Sequence, residues 1–218
     1  MWILIGISLQ TKTIYLVRHG ETDFNKIGVV QGSGIDSSLN ALGQQQAAAF
    51  FEAHKVVNFD KIYISQLQRT AQSIQKFIDL NIPTERHQGL NEISWGVLEG
   101  KVPNNDDNAY FRNLTATWRA GHTTTATEEG ESPEDVVKRQ KPVLDLILSR
   151  TNESTVLICM HGRAIRILLT QLLGTPLSVM DSFKHSNLCL YKLLYDYQSQ
   201  SFTLLVACDV SHLSSLPS

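Results

Sequence analysis

Three short apolar runs, each stopped by a polar residue able to do chemistry, constrain this chain more than any other feature. Thr13–Val17 (TIYLV) is β-branched and apolar and stops at Arg18-His19-Gly20. Phe59–Ile64 (FDKIYI) stops at Ser65, and Thr155–Met160 (TVLICM) stops at His161-Gly162. Apolar runs of this length read as buried strands. Helix signals fill the gaps between them. Asn40 caps LGQQQAAAFFEAHK, a stretch of strong helix formers. Arg69–Leu80 places Ile74, Phe77 and Ile78 on one helical face. Ser132-Pro133-Glu134-Asp135 joins a Ser cap to a proline at the first helical position and an acid at the third. That helix is expected to run to about Ser149, with an irregularity near Pro142. RAIRILLTQLLG follows His161-Gly162 and closes at Gly174. Leu90–Ile93 reads as extended, Leu188–Tyr195 and Phe202–Ala207 as two final strands. Residues 100–130, rich in Asn, Asp and Thr, show no clear period.

Strands that alternate with helices predict an α/β fold, a three-layer sandwich with a mostly parallel central sheet flanked by helices. Ligands of such sheets bind at the carboxyl ends of the strands. Arg18-His19, Ser65 and His161-Gly162 occupy three such ends and are therefore expected to converge. A length of 218 residues suits one large domain. It is expected over 12–213, with an irregular cap or insertion at about 100–130, an extension at 1–11 and a tail at 214–218. Trp2–Leu9 is apolar but far too short to cross a bilayer. It lacks the basic leader and cleavage site of a secretory signal, and reads as an extension or an extra edge strand.

Net charge is −2, so nothing in the overall electrostatics favours nucleic acid or an anionic membrane. Attraction for an anion must come from local cations. The three cysteines, Cys159, Cys189 and Cys208, are widely spaced with no CxxC pair. Neither a disulfide framework nor a zinc knuckle is suggested, and a reducing cytoplasm is the expected location. No metal-ligand spacing and no GxGxxG after a strand is found, so neither a metal nor another cofactor is expected.

A histidine after a strand is ordinarily a polar loop residue, and the arginine beside it a surface charge. Here two histidines occupy equivalent strand ends, each bordered by a glycine that lets backbone approach a ligand. Arg69 sits just inside a third strand-to-helix junction. Two arginines and two histidines facing one crevice are costly without an anion, and phosphate matches guanidinium geometry. The helix after His161-Gly162 adds unpaired N–H groups and a favourable dipole.

Arg18-His19-Gly20-Glu21-Thr22, with Asn25 after it, resembles the RHGET signature of the histidine phosphatase superfamily in its phosphoglycerate-mutase-like branch. The resemblance continues through Gln31-Gly32, Leu39–Gly43, Ser65–Arg69, Leu90–Ile93 with Gly96 and Glu99-Gly100, Gly130-Glu131-Ser132 and His161-Gly162. Each piece alone is weak, whereas all of them in this order are specific. The resemblance implies a phosphoglycerate-mutase-like fold and an in-line attack by neutral His19 that forms a phosphohistidine. It implies Glu92 as the acid and base, and Arg18, Arg69 and His161 as holders of the non-bridging oxygens. Asn25 and the backbone after His161, at Gly162, add neutral hydrogen bonds to the phosphate. Gln31, Gly32 and Arg163 are further substrate-contact candidates.

Region 100–130 carries only Arg112 and Arg119 as cations after Lys101 and does not copy the basic, aromatic insertion of the mutases. A phosphatase acting on a small phosphomonoester is therefore favoured over a mutase. A non-catalytic relative that binds phosphorylated ligands is the third reading, and the intact His19, Glu92 and His161 speak against it. A homodimer is left open. Trp95, Tyr110, Phe111 and Trp118 are read as pocket lining or as packing of the insertion. His54, His87, His122, His185 and His212, which show no pairing pattern, are read as structural or exposed. A bell-shaped pH profile is expected from the joint need for neutral His19 and protonated Glu92.

Overall fold

The computed structural model describes residues 10–216, so Trp2–Leu9, read above as an extension or edge strand, lies outside the described residues. Each of the three apolar runs forms a strand: β1 is Thr11–Arg18, β2 Lys61–Ile64 and β4 Thr155–Met160. With β3 (Thr84–Arg86), β5 (Leu190–Asp196) and β6 (Ser201–Asp209) they make one sheet in the order β3-β2-β4-β1-β5-β6. Pairing is parallel from β3 through β1 and antiparallel at β5 and β6. The sheet is thus mostly parallel, as the alternation of strands and helices required.

Side chains alternate across the pleat. Ile14, Leu16, Val156, Ile158 and Met160 enter one core with Val143 and Ile147 of α6 (Pro133–Ser149) and with Ile165, Leu168 and Leu169 of α7 (Gly162–Leu172). Tyr15, Val17, Leu157 and Cys159 enter a second core on the opposite face, with Phe50 of α2 (Ala41–His54) and with Ala71, Ile74 and Phe77. Each Val, Leu, Ile, Phe or Met among them taken fully out of water stabilises the fold by roughly 1.5–3 kcal/mol before entropy is counted. Burial on both faces is why these strands carry no polar alternation.

Helix starts agree with their caps. Asn40 Oδ1 accepts the Gly43 N–H, and Ser132 forms a capping box with Asp135 after which α6 continues through Pro142. Three expectations need correction. Arg69–Leu80 is two pieces, α3 (Gln68–Ser73) and α4 (Gln75–Ile78), separated at Ile74. Ser73 Oγ donates to the Arg69 carbonyl at 2.6 Å, a back-bond of the kind that bends helices. Leu90–Ile93 begins differently: Leu90 ends a 3-10 turn, Gln88–Leu90, with Asn91 extended after it, and the segment joins no sheet, the strand here being Thr84–Arg86 upstream.

Residues 100–130 hold a regular helix, α5 (Asn105–Arg119). Its Asn- and Asp-rich start is an N-cap, with Asn104 and Asp107 satisfying each other's backbone N–H. Its inner face sends Leu114 and Trp118 into a third cluster with Ile93, Trp95, Val136, Ile167 and Met180. Trp95 packs on Phe111 and Trp118, Phe111 also lines a cavity, and Tyr110 is exposed. Among the described residues no helix is long and apolar enough to cross a membrane.

Candidate active site

The order β2-β4-β1 sets Ser65, His161 and His19 side by side at the carboxyl edge of the sheet. Backbone bonds extend the ladder past the strands: His19 N–H donates to the Met160 carbonyl at 3.0 Å. His19 is buried, and its ring centroid lies 5.1 Å from that of His161. His19 Nδ1 sits 2.7 Å from the Gly20 carbonyl, an acceptor, so Nδ1 carries the proton and Nε2 keeps its lone pair. Gly20 is itself held by its N–H donating to Ser73 Oγ at 2.8 Å. Next to it α2 approaches so closely that a Cβ on Gly43 would lie 2.1 Å from the Glu21 carbonyl oxygen.

Arg69, almost fully buried, donates Nε–H to His161 Nδ1 (3.2 Å), Nη1–H to the Ile35 carbonyl (2.6 Å) and Nη2–H to the Gly32 carbonyl (3.3 Å). Three of its five N–H groups are thereby used and two remain. Because His161 Nδ1 accepts, the proton of the neutral ring is on Nε2, which meets Ser65 Oγ at 2.8 Å. Ser65 then donates to Thr70 Oγ1 (3.0 Å) and Thr70 to the Leu67 carbonyl (2.8 Å). This chain explains why a serine stands at the end of β2. Arg18 has its Nε enclosed without a hydrogen-bond partner among the described residues. Such a group costs about 1–3 kcal/mol, which an oxyanion would offset.

Charge and burial act on the rings in one direction. Burial first, then the guanidinium groups of Arg69 and Arg18, hold His19 well below the ordinary histidine value. His161 is lowered by burial, Arg69 and the His19 ring. Burial pulls Arg69 down to about 10, opposed by Glu92 and Asp36, so it stays protonated at neutral pH. Both imidazoles are neutral when folded and bind protons when unfolded, so folding stability falls as pH drops below the ordinary value of 6.5. Ring nitrogen NMR of the phosphate-free protein is expected to show neither ring titrating between pH 6.5 and 8. Protonation of either ring in that window would overturn the assignment.

Glu92 lies on an irregular segment and caps α7. Its Oε1 accepts N–H groups of Ile93 (2.9 Å) and Ala164 (2.8 Å), and its Oε2 accepts that of Arg163 (3.0 Å). Oε2 therefore has room left for a proton exchange. Gly162 is needed for close approach, since a Cβ there would meet His185 Cδ2 at 2.7 Å and Arg18 Nε at 3.3 Å.

Asn25 Oδ1 accepts the N–H of Thr22 and Nδ2–H of Asn187, both at 3.2 Å, which leaves its own Nδ2 for a ligand. Gln31 is tied into its loop by Thr22 and Ser37, and Gly32 by Arg69. The Arg163 side chain is held on Asp181 at 2.5 Å and stacks near Trp95 and Trp118, so here it fixes structure while its backbone N–H holds Glu92.

Three further residues contribute, two with no local signal and one, Glu99, marked only through the family motif. His185, read as structural or exposed, stands against Gly162 and is lowered to about 4 by burial and then by Arg18 and Arg166. Asn187 donates to the His19 carbonyl at 3.1 Å. Glu99 accepts the N–H groups of Gly34 (3.0 Å) and Trp95 (2.8 Å), pinning the loop that Arg69 also holds.

Comparison with known proteins agrees with this geometry. The model of the histidine phosphatase superfamily (branch 1) matches residues 14–207. "Probable phosphoglycerate mutase GpmB" of Proteus mirabilis (strain HI4320) is 30% identical over 214 residues, covering 93% of this chain and 95% of that protein. 6-Phosphofructo-2-kinase/fructose-2,6-bisphosphatase of Aquarana catesbeiana is 28% identical over 218 residues, 97% of this chain but only 44% of that protein. The structure of mycobacterial glucosyl-3-phosphoglycerate phosphatase superposes with a TM-score of 0.78 at 26% identity, covering 91% of this chain and 99% of that one. With a family model matched over most of its length and two buried histidines beside two arginines at its strand ends, this chain belongs to the histidine phosphatase superfamily, branch 1.

Proposed function

We propose that the protein is a metal-independent phosphomonoesterase that hydrolyses a small phosphorylated metabolite through a phosphohistidine on His19. The observation that carries this reading is the buried, neutral His19, its Nδ1–H on the Gly20 carbonyl, beside Arg69 with two free N–H groups and Arg18 with an unpaired Nε. In the first step His19 Nε2 attacks phosphorus, the bond from phosphorus to the leaving oxygen breaks, and Glu92 gives that oxygen a proton. In the second, water attacks phosphorus, Glu92 takes its proton, the bond from phosphorus to His19 Nε2 breaks with its electron pair returning to the ring, and inorganic phosphate leaves. Arg18, Arg69 and His161 surround the three non-bridging oxygens, and one good donor of this sort supplies about 2.7–4 kcal/mol. His161 would exchange its bond to Ser65 for one to phosphate, or hold Arg69 in line.

Hydrolysis rather than transfer is supported by the paucity of cations on α5. Arg119 pairs with Asp181 at 3.3 Å, and Phe111 lines a largely apolar cavity of about 190 Å³ with Val30 and Leu98, where Lys101 is the one cation among the described lining residues and stands with Asp107. The mutase reading is supported by the Proteus relative and uses the same residues. The test is incubation with 3-phosphoglycerate and a panel of phosphomonoesters, following inorganic phosphate and 2-phosphoglycerate together. Phosphate release without isomer exchange supports the phosphatase, and exchange exceeding release overturns it. EDTA is expected to leave the rate unchanged. A loss that zinc or magnesium restores would count against metal independence.

A further inference from the structure

The segment that carries Glu92 is neither helix nor strand, and one side chain from α6 holds its backbone. Arg139 Nε donates to Glu131 Oε1 at 2.7 Å. Its Nη1 donates to the carbonyls of Gly89 and Asn91, both at 2.9 Å. Its Nη2 donates to the carbonyl of Glu92 at 2.9 Å and to Glu131 Oε2 at 3.0 Å. All five guanidinium N–H groups are thus placed, three of them on the chain that ends in the Glu92 carboxylate. Glu131 Oε2 also accepts the Ser94 N–H at 2.9 Å, two residues beyond Glu92. Gly89 presses so closely on α6 that a Cβ there would lie 2.3 Å from the Arg139 carbonyl oxygen.

The Arg139–Glu131 pair therefore grips the segment before, at and after Glu92, while the N–H groups of Arg163 and Ala164 fix the carboxylate at the other end. A partly exposed ion pair adds little stability by itself. The three carbonyls are what make this one unusual, and only a planar fork can serve them together.

We propose that Arg139, braced by Glu131, is a positioning residue for proton transfer: it sets the reach of Glu92 to the leaving oxygen without touching substrate. This rests on the reading of Glu92 as acid and base given above. A misplacement of about 1 Å at a reacting group costs about 10²-fold in rate, and the loss should follow how much the leaving group needs a proton.

The test compares kcat/KM of wild type, Arg139→Met, Arg139→Lys and Glu92→Gln on two esters. Glycerol 2-phosphate has an alkoxide leaving group that needs protonation, whereas p-nitrophenyl phosphate has a phenolate that hardly does. Arg139→Met is expected to lose about 30- to 100-fold on the alkyl ester and under about 5-fold on the aryl ester, through kcat with KM little changed. Glu92→Gln should show the same selectivity, and Arg139→Lys little recovery. Equal loss on both esters, or none, in Arg139→Met while Glu92→Gln stays selective makes Arg139 a structural residue only and overturns the proposal. Absence of selectivity in Glu92→Gln overturns the Glu92 reading and the proposal with it. Should Arg139→Met fail to fold, the same ratio measured in Arg139→Lys and Glu131→Gln decides the matter.

Discussion

Replacing His19 with alanine is expected to lower kcat/KM for every phosphomonoester by at least about 10⁴-fold. Neither His161 nor Glu92 is free to take over the attack. His161 Nδ1 is occupied by Arg69 and its Nε2 by Ser65, and Glu92 holds three backbone N–H groups. Labelling with radioactive phosphate, quenched in base where phosphohistidine survives, should find label on the wild type and none on His19→Ala. The fold should tolerate the change. The lost side chain makes one hydrogen bond, to the Gly20 carbonyl, and its burial works against its charged form. Leaving the buried Gly20 carbonyl without its donor costs about 1–3 kcal/mol, so the melting temperature is expected to drop by about 2–12 °C with the protein still folded. Unchanged turnover in a folded His19→Ala protein would remove the phosphohistidine from the mechanism and revive a binding role.

Arg69→Met is expected to cost both activity and stability. Two N–H groups that would face phosphate disappear, and a loss of about 10²–10³-fold in kcat follows from the typical worth of one such donor. The same change strips donors from the carbonyls of Ile35 and Gly32 and from His161 Nδ1, freeing the loop at one side of the site and the imidazole at the other. Leaving buried acceptors unpaired costs about 1–3 kcal/mol each. Removal of a guanidinium whose burial already lowers its pKa to about 10 offsets part of that. A net destabilisation of about 1–3 kcal/mol in urea unfolding is the expected sum. Arg69→Lys should restore charge but not the fork, and so recover little of either. A variant as stable as wild type would mean that Glu99 alone holds the loop. A variant with full activity would mean that Arg69 does not face the phosphate.

What could be read locally and what could not divide along physical lines. TIYLV, KIYI and TVLICM declare themselves as strands because both of their faces are buried, and that requirement acts residue by residue. Caps at Asn40 and Ser132 are equally local, since a side chain there satisfies an N–H three residues on. Strand ends carry the site in this class of sheet, so His19, Ser65 and His161 could be grouped before any coordinates were known. Glu92 could be named only through its motif. It follows a 3-10 turn, and its position comes from α6 and α7, which lie 47 to 72 residues away in the chain. α5 was hidden because its apolar face is narrow and its start is made of capping residues that also suit loops. The break at Ile74 depends on Ser73 being shared between its own helix and Gly20, 53 residues earlier.

Arg139, Asn187 and His185 carry no local mark at all, and Glu99 is marked only through its motif. Each acts through backbone atoms or ring contacts of a distant segment, and such partners exist only once the sheet order has brought those segments together. Arg163 shows the same from the other side. Its place beside the second histidine suggested a ligand contact, yet Asp181, 18 residues downstream, holds its guanidinium beside Trp95 and Trp118. Periodicity and caps follow from forces that act within a few residues. Protonation states, side-chain direction and the reach of the acid depend on burial and on charges that only long-range packing can assemble.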